Sequence, residues 1–353
     1  MKIELTKKSK LDKLDLTKVG FGSDFTDHML SCDFKDGKWD EPSIIPYQPL
    51  LLSPSSQVLH YGQSVFEGMK AYKNETDEIF LFRPNKNFER INKSAERIAM
   101  PTIPKEIFMD GLYQLLDIER KWIPSIDGMS LYIRPVLFAT EEILVARPSL
   151  QFKFLIICSV AGAYYEKPLR VLIADKYSRS ADGGVGFAKT AGNYAAAFYP
   201  TNLAKEKGFD QVIWTDSSHK KVEEAGTMNL FFRINDTLIT APASEKILDG
   251  VTRDSIIQLA KHKGITVEVR DIFVDEIYEA HKNNTLKEAF GCGTAAVISE
   301  IKTIGYPKEV LDISTIDETS SYAKSLKKEL IAIQSQNGND PFGWRVKVEK
   351  QLS

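Results

Sequence analysis

The longest apolar stretch of the chain lies near its middle and limits what the chain can fold into. A helix needs about 20 apolar residues to cross a bilayer, and this stretch is shorter than that. Its composition predicts a buried strand over Phe152–Val160. Gly162 and Pro168 then end the regular pattern. We therefore expect a small N-terminal α/β domain, a linker and a larger C-terminal domain, at residues 1–160, 161–170 and 171–353.

Strand-like and helix-like segments alternate in both halves. Apolar residues at helical spacing predict a helix after Pro84, and a second helix is expected over Glu106–Trp122. Further on, a helix is predicted to begin after Gly250 and to stop at Gly264, and another to cover Tyr322–Gln336. The remaining strand-like runs are Glu78–Phe82, Ser130–Arg134, Leu169–Ala174, Gln211–Thr215, Leu230–Ile234 and Thr266–Val269. This mixture predicts the α/β (α+β) fold class.

Composition excludes several classes of function. A formal net charge of -2 and a pI of about 6.3 give no electrostatic reason to expect a nucleic acid or an anionic membrane as partner. The 3 cysteines lie far apart without a C-x-x-C pair, which indicates a reducing compartment and no disulfide framework. The 5 histidines show no metal-ligand spacing, so no metal is expected. The N-terminus is too charged for a signal peptide, and we expect a cytoplasmic protein.

Lys189 is the candidate nucleophile, because it is the single charged residue between Asp182 and Lys205. Its small and apolar neighbours predict burial, and desolvation lowers the pKa of a buried lysine. A neutral amine is what Schiff-base chemistry requires. From this segment alone, a solvated loop lysine is an equally good interpretation.

A Schiff-base lysine implies a carbonyl cofactor or substrate. Pyridoxal phosphate also needs an acid at its pyridine nitrogen, and the adjacent Glu223 and Glu224 precede a turn and an apolar strand. Two adjacent glutamates taken alone are more typical of a solvated loop.

The cofactor phosphate needs an anion site. The stretch Leu248–Arg253 opens the helix predicted after Gly250, where backbone N–H groups and the helix dipole attract anions. Thr252 adds a hydroxyl. A second Gly-Thr turn lies at Gly291–Ala296, and each turn is equally compatible with ordinary helix capping.

Together these segments resemble one family over nearly the whole chain. The best motifs are Phe21–Leu30, His60–Lys70, Leu131–Val136, the Lys189 segment, Glu224–Asn229, Phe290–Ala295 and the C-terminal Pro341–Trp344. They resemble the branched-chain amino acid aminotransferases, which have the two-domain class IV (fold type IV) pyridoxal-phosphate fold. The Glu224–Asn229 stretch and the chain length look more like the larger subgroup of that family.

The resemblance implies roles for residues around pyridoxal 5'-phosphate. Lys189 would form the Schiff base and carry the proton, and Glu224 rather than Glu223 would pair with the pyridinium nitrogen. The other residues implied to bind the cofactor are Arg90, Tyr194, Thr227, Leu248, Val251, Thr252 and Thr294. The large C-terminal domain would bind the cofactor, with the active site between the two domains.

The resemblance also implies a substrate pocket. Its apolar wall would be formed by Phe21, Tyr61, Phe66 and Tyr164. Tyr132 and the Thr294–Ala295 backbone would meet the substrate carboxylate, while Arg134 would help to accept the second carboxylate of glutamate.

The implied reaction moves an amino group between leucine, isoleucine or valine and 2-oxoglutarate, giving branched-chain 2-oxo acids and L-glutamate. The implied protein is a cytoplasmic homodimer of branched-chain amino acid biosynthesis, in which the loop Glu141–Arg147 reaches the partner's site. Rival interpretations are a D-amino acid aminotransferase, an aminodeoxychorismate lyase and a non-catalytic binding protein of the same fold. The two rival enzymes are shorter, and a binding protein is expected to lose Lys189 or Glu224.

One departure from the family concerns cysteine. Animal members of the subgroup carry a C-x-x-C pair shortly after the Gly-Thr-Ala turn, whose oxidation lowers activity. Ala296 and Ser299 stand at those positions here, and Cys292 is nearby. Because a lone thiol has no resolving partner, we expect no local thiol switch.

Overall fold

The computed structural model describes residues 1–126, 128–162, 167–306, 309–313, 316–335 and 338–350. The chain divides into two compact units. Unit 1 comprises Met1–Tyr164, Ala188–Gly192 and Ile333–Ser353, and unit 2 comprises Tyr165–Phe187 and Asn193–Ala332. Across the described ranges, no helix combines the length and the apolarity that crossing a membrane requires.

The helices are α1 Val58–Tyr61, α2 Pro84–Arg97, α3 Gly111–Ile118, α4 Ala191–Glu206, α5 Val251–His262, α6 Val274–Lys282 and α7 Tyr322–Gln334. The first ten strands are β1 Lys2–Ile3, β2 Phe21–Phe25, β3 His28–Lys35, β4 Lys38–Trp39, β5 Ser43–Pro46, β6 Ser64–Phe66, β7 Met69–Lys73, β8 Ile79–Phe82, β9 Ser130–Ala139 and β10 Phe152–Ala161. The next ten are β11 Leu169–Ile173, β12 Gln211–Thr215, β13 Lys221–Ala225, β14 Met228–Ile234, β15 Thr237–Thr240, β16 Thr266–Val269, β17 Ile272–Phe273, β18 Leu286–Gly293, β19 Val297–Gly305 and β20 Val310–Asp312, and the last is β21 Arg345–Val348.

Unit 1 is built on a largely antiparallel sheet with the order β1-β5-β3-β10-β9-β7-β8-β21. Its centre is the β9–β10 pair, which stays in register from Phe152 opposite Ala139 to Ala161 opposite Ser130. Both strands are largely buried on both faces, so apolar residues predominate in both instead of alternating strictly with polar ones. The sheet and the apolar face of α2 enclose one core, which includes Ile91 and Ala95.

Unit 2 contains a closed ring of six strands in the order β14-β18-β19-β11-β12-β13, because β13 also pairs with β14. In this ring β11 runs parallel to both β12 and β19, whereas the other pairs are antiparallel. Side chains such as Ile213, Leu230 and Ile301 form its apolar core. Ring closure removes the exposed edges that an open sheet of these strands would have.

Most of the predicted elements are confirmed. The helix after Pro84 is α2, and the helix after Gly250 is α5, which ends at His262 just before Gly264. The segment predicted as one helix over Glu106–Trp122 instead has three parts: a π-turn, α3 and a 3₁₀ turn. The sequence does not predict α4, because Pro200 lies inside it and its apolar residues lack helical spacing.

The division into units differs from the predicted domain bounds at two segments. Thr190 forms a bridge to Val65, which places residues 188–192 with unit 1. The last strand, β21, pairs with β8, so the C-terminal segment also belongs to unit 1. Near the predicted linker, β11 already begins at Leu169. The bounds 1–160, 161–170 and 171–353 otherwise stay a prediction.

All three thiols lie in the apolar interior. Burial raises the pKa of Cys32 to about 12, and burial raises the pKa of Cys158 and of Cys292 as well. Cys32 lies opposite Phe154 in the β3–β10 register, four residues along the strand from Cys158. That offset corresponds to about 13 Å at strand spacing, whereas disulfide Cα atoms lie within roughly 7 Å.

We therefore expect the native protein to be inert to mild thiol oxidation, since the reactive species is the thiolate. The native chain should react with less than about one equivalent of a thiol reagent, whereas all 3 cysteines should react in denaturant. Peroxide doses that form only reversible thiol products should leave turnover nearly unchanged. A loss of turnover that dithiothreitol reverses, and that persists in Cys292→Ser, would contradict this expectation.

Candidate active site

The backbone of Lys189 is held on both sides within unit 1. Its N–H donates to Ser94 Oγ at 2.9 Å, and its carbonyl accepts from the Phe66 N–H at 3.1 Å. Its side chain is half-buried rather than fully buried, and Nζ lies 5.0 Å from the centre of the Phe66 ring. A lysine whose backbone is fixed at both ends, next to an aromatic face, is suited to hold a reactive amine in one place.

The predicted substrate residues Phe21, Phe66, Tyr132 and Arg134 form one cluster in unit 1. The guanidinium carbon of Arg134 lies 4.5 Å from the Phe66 ring centre and 5.3 Å from that of Tyr132. Arg134 Nη2 donates to the Tyr132 hydroxyl at 2.9 Å. The Phe21 ring lies 4.8 Å from the Tyr132 ring. Because Phe66 also borders Lys189, the cluster adjoins the candidate nucleophile.

Strand β9 carries Tyr132 and Arg134 two residues apart, so both side chains point to the same face. Gly68 is required opposite them, because a Cβ there would lie 2.2 Å from the Tyr132 hydroxyl. Arg134 Nε is buried and has no hydrogen-bond partner among the described residues. A buried donor without a partner is costly.

Arg90 lies on α2 and pairs with the buried Glu67 through two hydrogen bonds. Nε donates to Oε1 at 2.7 Å, and Nη2 donates to Oε2 at 2.9 Å. The resemblance gives Arg90 a phosphate role and gives Glu67 none, although Glu67 lies inside a quoted motif. Its sequence context alone does not distinguish it from a surface glutamate.

In unit 2, Glu224 lies on β13 and is 4% exposed. Its Oε2 lies 3.1 Å from Arg179 Nη2. Its Oε1 accepts from the Leu248 N–H at 2.7 Å and from Asn229 Nδ2 at 3.1 Å. These donors hold the carboxylate in one orientation. Arg179 is absent from the sequence predictions, since its surroundings in the sequence resemble an ordinary polar loop.

Glu223 is also buried, at 3% exposure, so the expectation of an exposed acid is wrong. The two acids belong to a strand rather than a loop, and the pairing of β13 with β12 is irregular at these residues. Ser180 donates to Glu223 at 3.3 Å, and Lys246 Nζ lies 3.7 Å from its carboxylate. Burial raises the pKa of Glu223 against the charges of Lys246 and Arg179.

Helix α5 begins where the sequence predicts an anion site. Gly250 precedes it and, as a glycine, provides no side-chain cap. A Cβ on Gly250 would lie 2.0 Å from Asn229 Oδ1, so only glycine allows this close approach. Val251 and Thr252 are buried at the start of the helix. The helix start therefore meets the Glu224 cluster through Asn229.

The remaining predicted residues of unit 2 lie on turns and on α4. Thr294 and Ala295 form the hairpin turn between β18 and β19, and both are half-buried. Thr227 is exposed in the β13–β14 turn, and Tyr194 is half-buried on α4. After the hairpin turn, Val297 has φ +59°, which is strained for a β-branched residue. Such strain is typical of functional turns.

Two predicted pocket residues stand apart from these clusters. Tyr61 ends α1, is 44% exposed and donates to the carbonyl of Leu144 at 2.9 Å. Tyr164 lies outside the described residues. Their place in a substrate pocket stays a prediction.

Comparison with known proteins gives a consistent result. The model of the family described as Amino-transferase class IV matches residues 64–304. Branched-chain-amino-acid aminotransferase 2 of Bacillus subtilis (strain 168) is 46% identical over 353 residues, which cover 99% of this chain and 97% of that protein.

Solved structures share the fold. The crystal structure of the branched-chain aminotransferase from Thermoproteus uzoniensis with norvaline has a TM-score of 0.73 and 23% identity, and covers 91% of this chain and 100% of that chain. The crystal structure of the T.th. branched-chain amino acid aminotransferase with pyridoxamine 5'-phosphate has a TM-score of 0.70 and 25% identity, and covers 90% of this chain and 98% of that chain.

Proposed function

This chain belongs to the class IV aminotransferases, and on that premise we propose that it transfers the amino group between branched-chain L-amino acids and 2-oxoglutarate. The resemblance in the sequence motifs, the fold class and the enzyme class are confirmed by the family match. The observation that carries the substrate proposal is the cluster around Lys189, which combines an apolar aromatic wall with the guanidinium of Arg134.

The proposed cofactor is pyridoxal 5'-phosphate, and the residues fit its three chemical needs. Lys189 offers an amine held by its backbone. Glu224 offers a buried carboxylate fixed by Arg179 and by the Leu248 N–H, as a partner for the pyridine nitrogen. The start of α5 offers backbone N–H groups to the phosphate, together with Thr252. In unit 1, Arg90 offers a cation that a phosphate could bind.

When bound, this cofactor supplies an aldehyde for the substrate amine and a ring that accepts electrons. Lys189 Nζ acts as the base that takes the α-proton of the amino acid and later returns a proton. Glu224 would hold a proton on the ring nitrogen of the cofactor. The Leu248 N–H and Asn229 Nδ2 hold the Glu224 carboxylate in one orientation through Oε1.

Two substrates with different side chains must share one pocket. Phe21 and Phe66 present the apolar surface that leucine, isoleucine or valine needs. The side-chain carboxylate of glutamate is costly to bury alone, and Arg134 provides a charge-assisted partner beside the Tyr132 hydroxyl.

We also infer a homodimer from the loop Glu141–Arg147. A two-point ion pair between Arg147 and Glu141 shapes the loop. Leu144 and Val145 between them are 63% and 51% exposed. Exposed apolar side chains on an ordered loop are suited to contact a second copy of the chain.

The experiment that tests the function is a steady-state panel of amino acids with 2-oxoglutarate as acceptor. L-Leucine, L-isoleucine and L-valine should exceed L-alanine and L-aspartate in kcat/KM, and D-alanine should be inactive. Turnover of D-alanine would favour the D-amino acid aminotransferase interpretation. Absence of bound cofactor and of turnover would favour a binding protein.

Lys189→Ala should abolish turnover, by at least about 10³-fold, because the variant lacks both the attachment point and the base. Borohydride reduction of the wild-type enzyme followed by peptide mapping should place the cofactor label on Lys189. The variant should fold normally and take up no borohydride-stable label. Label on another lysine would refute the assignment.

Glu224→Gln should lower kcat by about 10- to 100-fold, because a neutral amide no longer stabilises the proton on the ring nitrogen. Glu223→Gln is the matched control: its side chain is equally buried, and its carboxylate contacts Ser180 and Lys246, whereas that of Glu224 contacts Arg179 and the Leu248 N–H. The turnover of Glu223→Gln should stay within about twofold of the wild type. The glutamine amide is neutral, so its burial does not carry the cost of burying a charge. Equal losses in the two variants would contradict the choice of Glu224.

Arg134→Gln should damage the glutamate half-reaction more than the leucine half-reaction. Removal of a buried charge partner costs a carboxylate ligand about 2–5 kcal/mol, which corresponds to about 30-fold or more in apparent affinity. Leucine carries no second carboxylate and should lose far less. Single-turnover measurements of both half-reactions compare the losses, and equal losses would exclude this role for Arg134.

A further inference from the structure

Glu67 is a wholly buried carboxylate with no role in the proposed reaction. It links β6 to β7 in unit 1, is 0% exposed, and its backbone N–H donates to the Pro135 carbonyl at 2.8 Å. Its Oε1 accepts from Arg90 Nε, and its Oε2 accepts from Arg90 Nη2 at 2.9 Å, from Asn87 Nδ2 at 2.8 Å and from the Gly68 N–H at 3.0 Å. The carboxylate is therefore surrounded by donors.

This carboxyl remains ionised in spite of its burial. Desolvation raises the pKa of Glu67, but the charge and hydrogen bonds of Arg90, the charge of Lys189 and the Asn87 amide together lower it below its ordinary value. Glu67 is thus an anion that faces two cations, and both cations belong to the proposed cofactor site. An isolated buried charge would be strongly unfavourable, so the pairing is obligatory.

Ser94 of α2 also connects Arg90 to Lys189. The Ser94 hydroxyl donates to the Arg90 carbonyl at 2.9 Å and accepts from the Lys189 N–H at 2.9 Å. From the other side, Phe66, next to Glu67, donates its N–H to the Lys189 carbonyl. The position of the guanidinium relative to Lys189 is therefore set by contacts that meet at Glu67 and Ser94.

We propose that Glu67 is a positioning residue that fixes the Arg90 guanidinium for the phosphate of the cofactor. The two-point contact occupies Nε and Nη2 and fixes the plane of the guanidinium, as a single-point contact could not. The proposal rests on the proposed function, because Arg90 acts on phosphate only if pyridoxal 5'-phosphate is the cofactor. A merely structural ion pair would affect folding without regard to the ligand phosphate.

The test measures the affinity of the apoenzyme for pyridoxal 5'-phosphate and for pyridoxal, which lacks the phosphate. Glu67→Gln should raise the Kd for pyridoxal 5'-phosphate by about 10-fold or more while changing the Kd for pyridoxal by less than about 3-fold. Arg90→Gln should behave alike, and the double variant should lose little more than either single variant, because both act through one contact.

The matched control is Glu119→Gln, another buried glutamate of unit 1, which pairs with His28. It should leave both affinities unchanged, even where it lowers the melting temperature. If Glu67→Gln fails to fold, Arg90→Lys decides, since lysine keeps the charge but cannot form the two-point contact. It should then show the same phosphate-selective loss.

The outcomes separate the two hypotheses. A wild-type apoenzyme that takes up neither ligand overturns the proposed function. If the wild type binds pyridoxal 5'-phosphate and the variants bind both ligands as tightly as the wild type, only the role of Glu67 is overturned. The same holds if the variants lose affinity for both ligands equally. Additive losses in Glu67→Gln and Arg90→Gln would also overturn it.

Discussion

The candidate site depends first on the backbone contacts that tie Lys189 to unit 1. Ser94 and Phe66 hold its N–H and carbonyl, and Thr190 bridges to Val65. A lysine side chain has four rotatable bonds, so its amine is well placed only if its backbone is fixed. Because Phe66 also contacts the Arg134 guanidinium, the same anchor relates the candidate nucleophile to the residues proposed to recognise substrate.

Buried charge is the second organising constraint. Each unit fixes a buried carboxylate with an arginine: Glu67 with Arg90 in unit 1, and Glu224 with Arg179 in unit 2. Buried ions of this kind contribute little net stability, since desolvation offsets their attraction. Their hydrogen bonds nevertheless fix the orientation of each carboxylate and each guanidinium. A ligand site requires side chains that are held in one orientation in this way.

Elements with strong local signals were predictable, and elements without them were not. Pro84 and the apolar spacing that follows it identify α2, and Gly250 and Gly264 bracket α5. Helix α4 lacks such a pattern, because Pro200 lies inside it and its buried residues, Asn193, Pro200 and Ala204, are not an apolar stripe at helical spacing. Glu223 was misread for a related reason: adjacent acids resemble a solvated loop unless the strand beneath them is recognised.

Local patterns in the chain were enough to single out candidate residues, each with an ordinary structural interpretation beside it: a single lysine in a long uncharged segment, an acid pair before a strand, and a glycine at a helix start. The family motifs add to these signals because they too are runs of neighbouring residues. Tertiary contacts were needed to establish which acid pairs with Arg179, that Glu67 holds Arg90, and that residues 188–192 belong with unit 1. These choices depend on contacts between residues far apart in the chain, which no local pattern specifies.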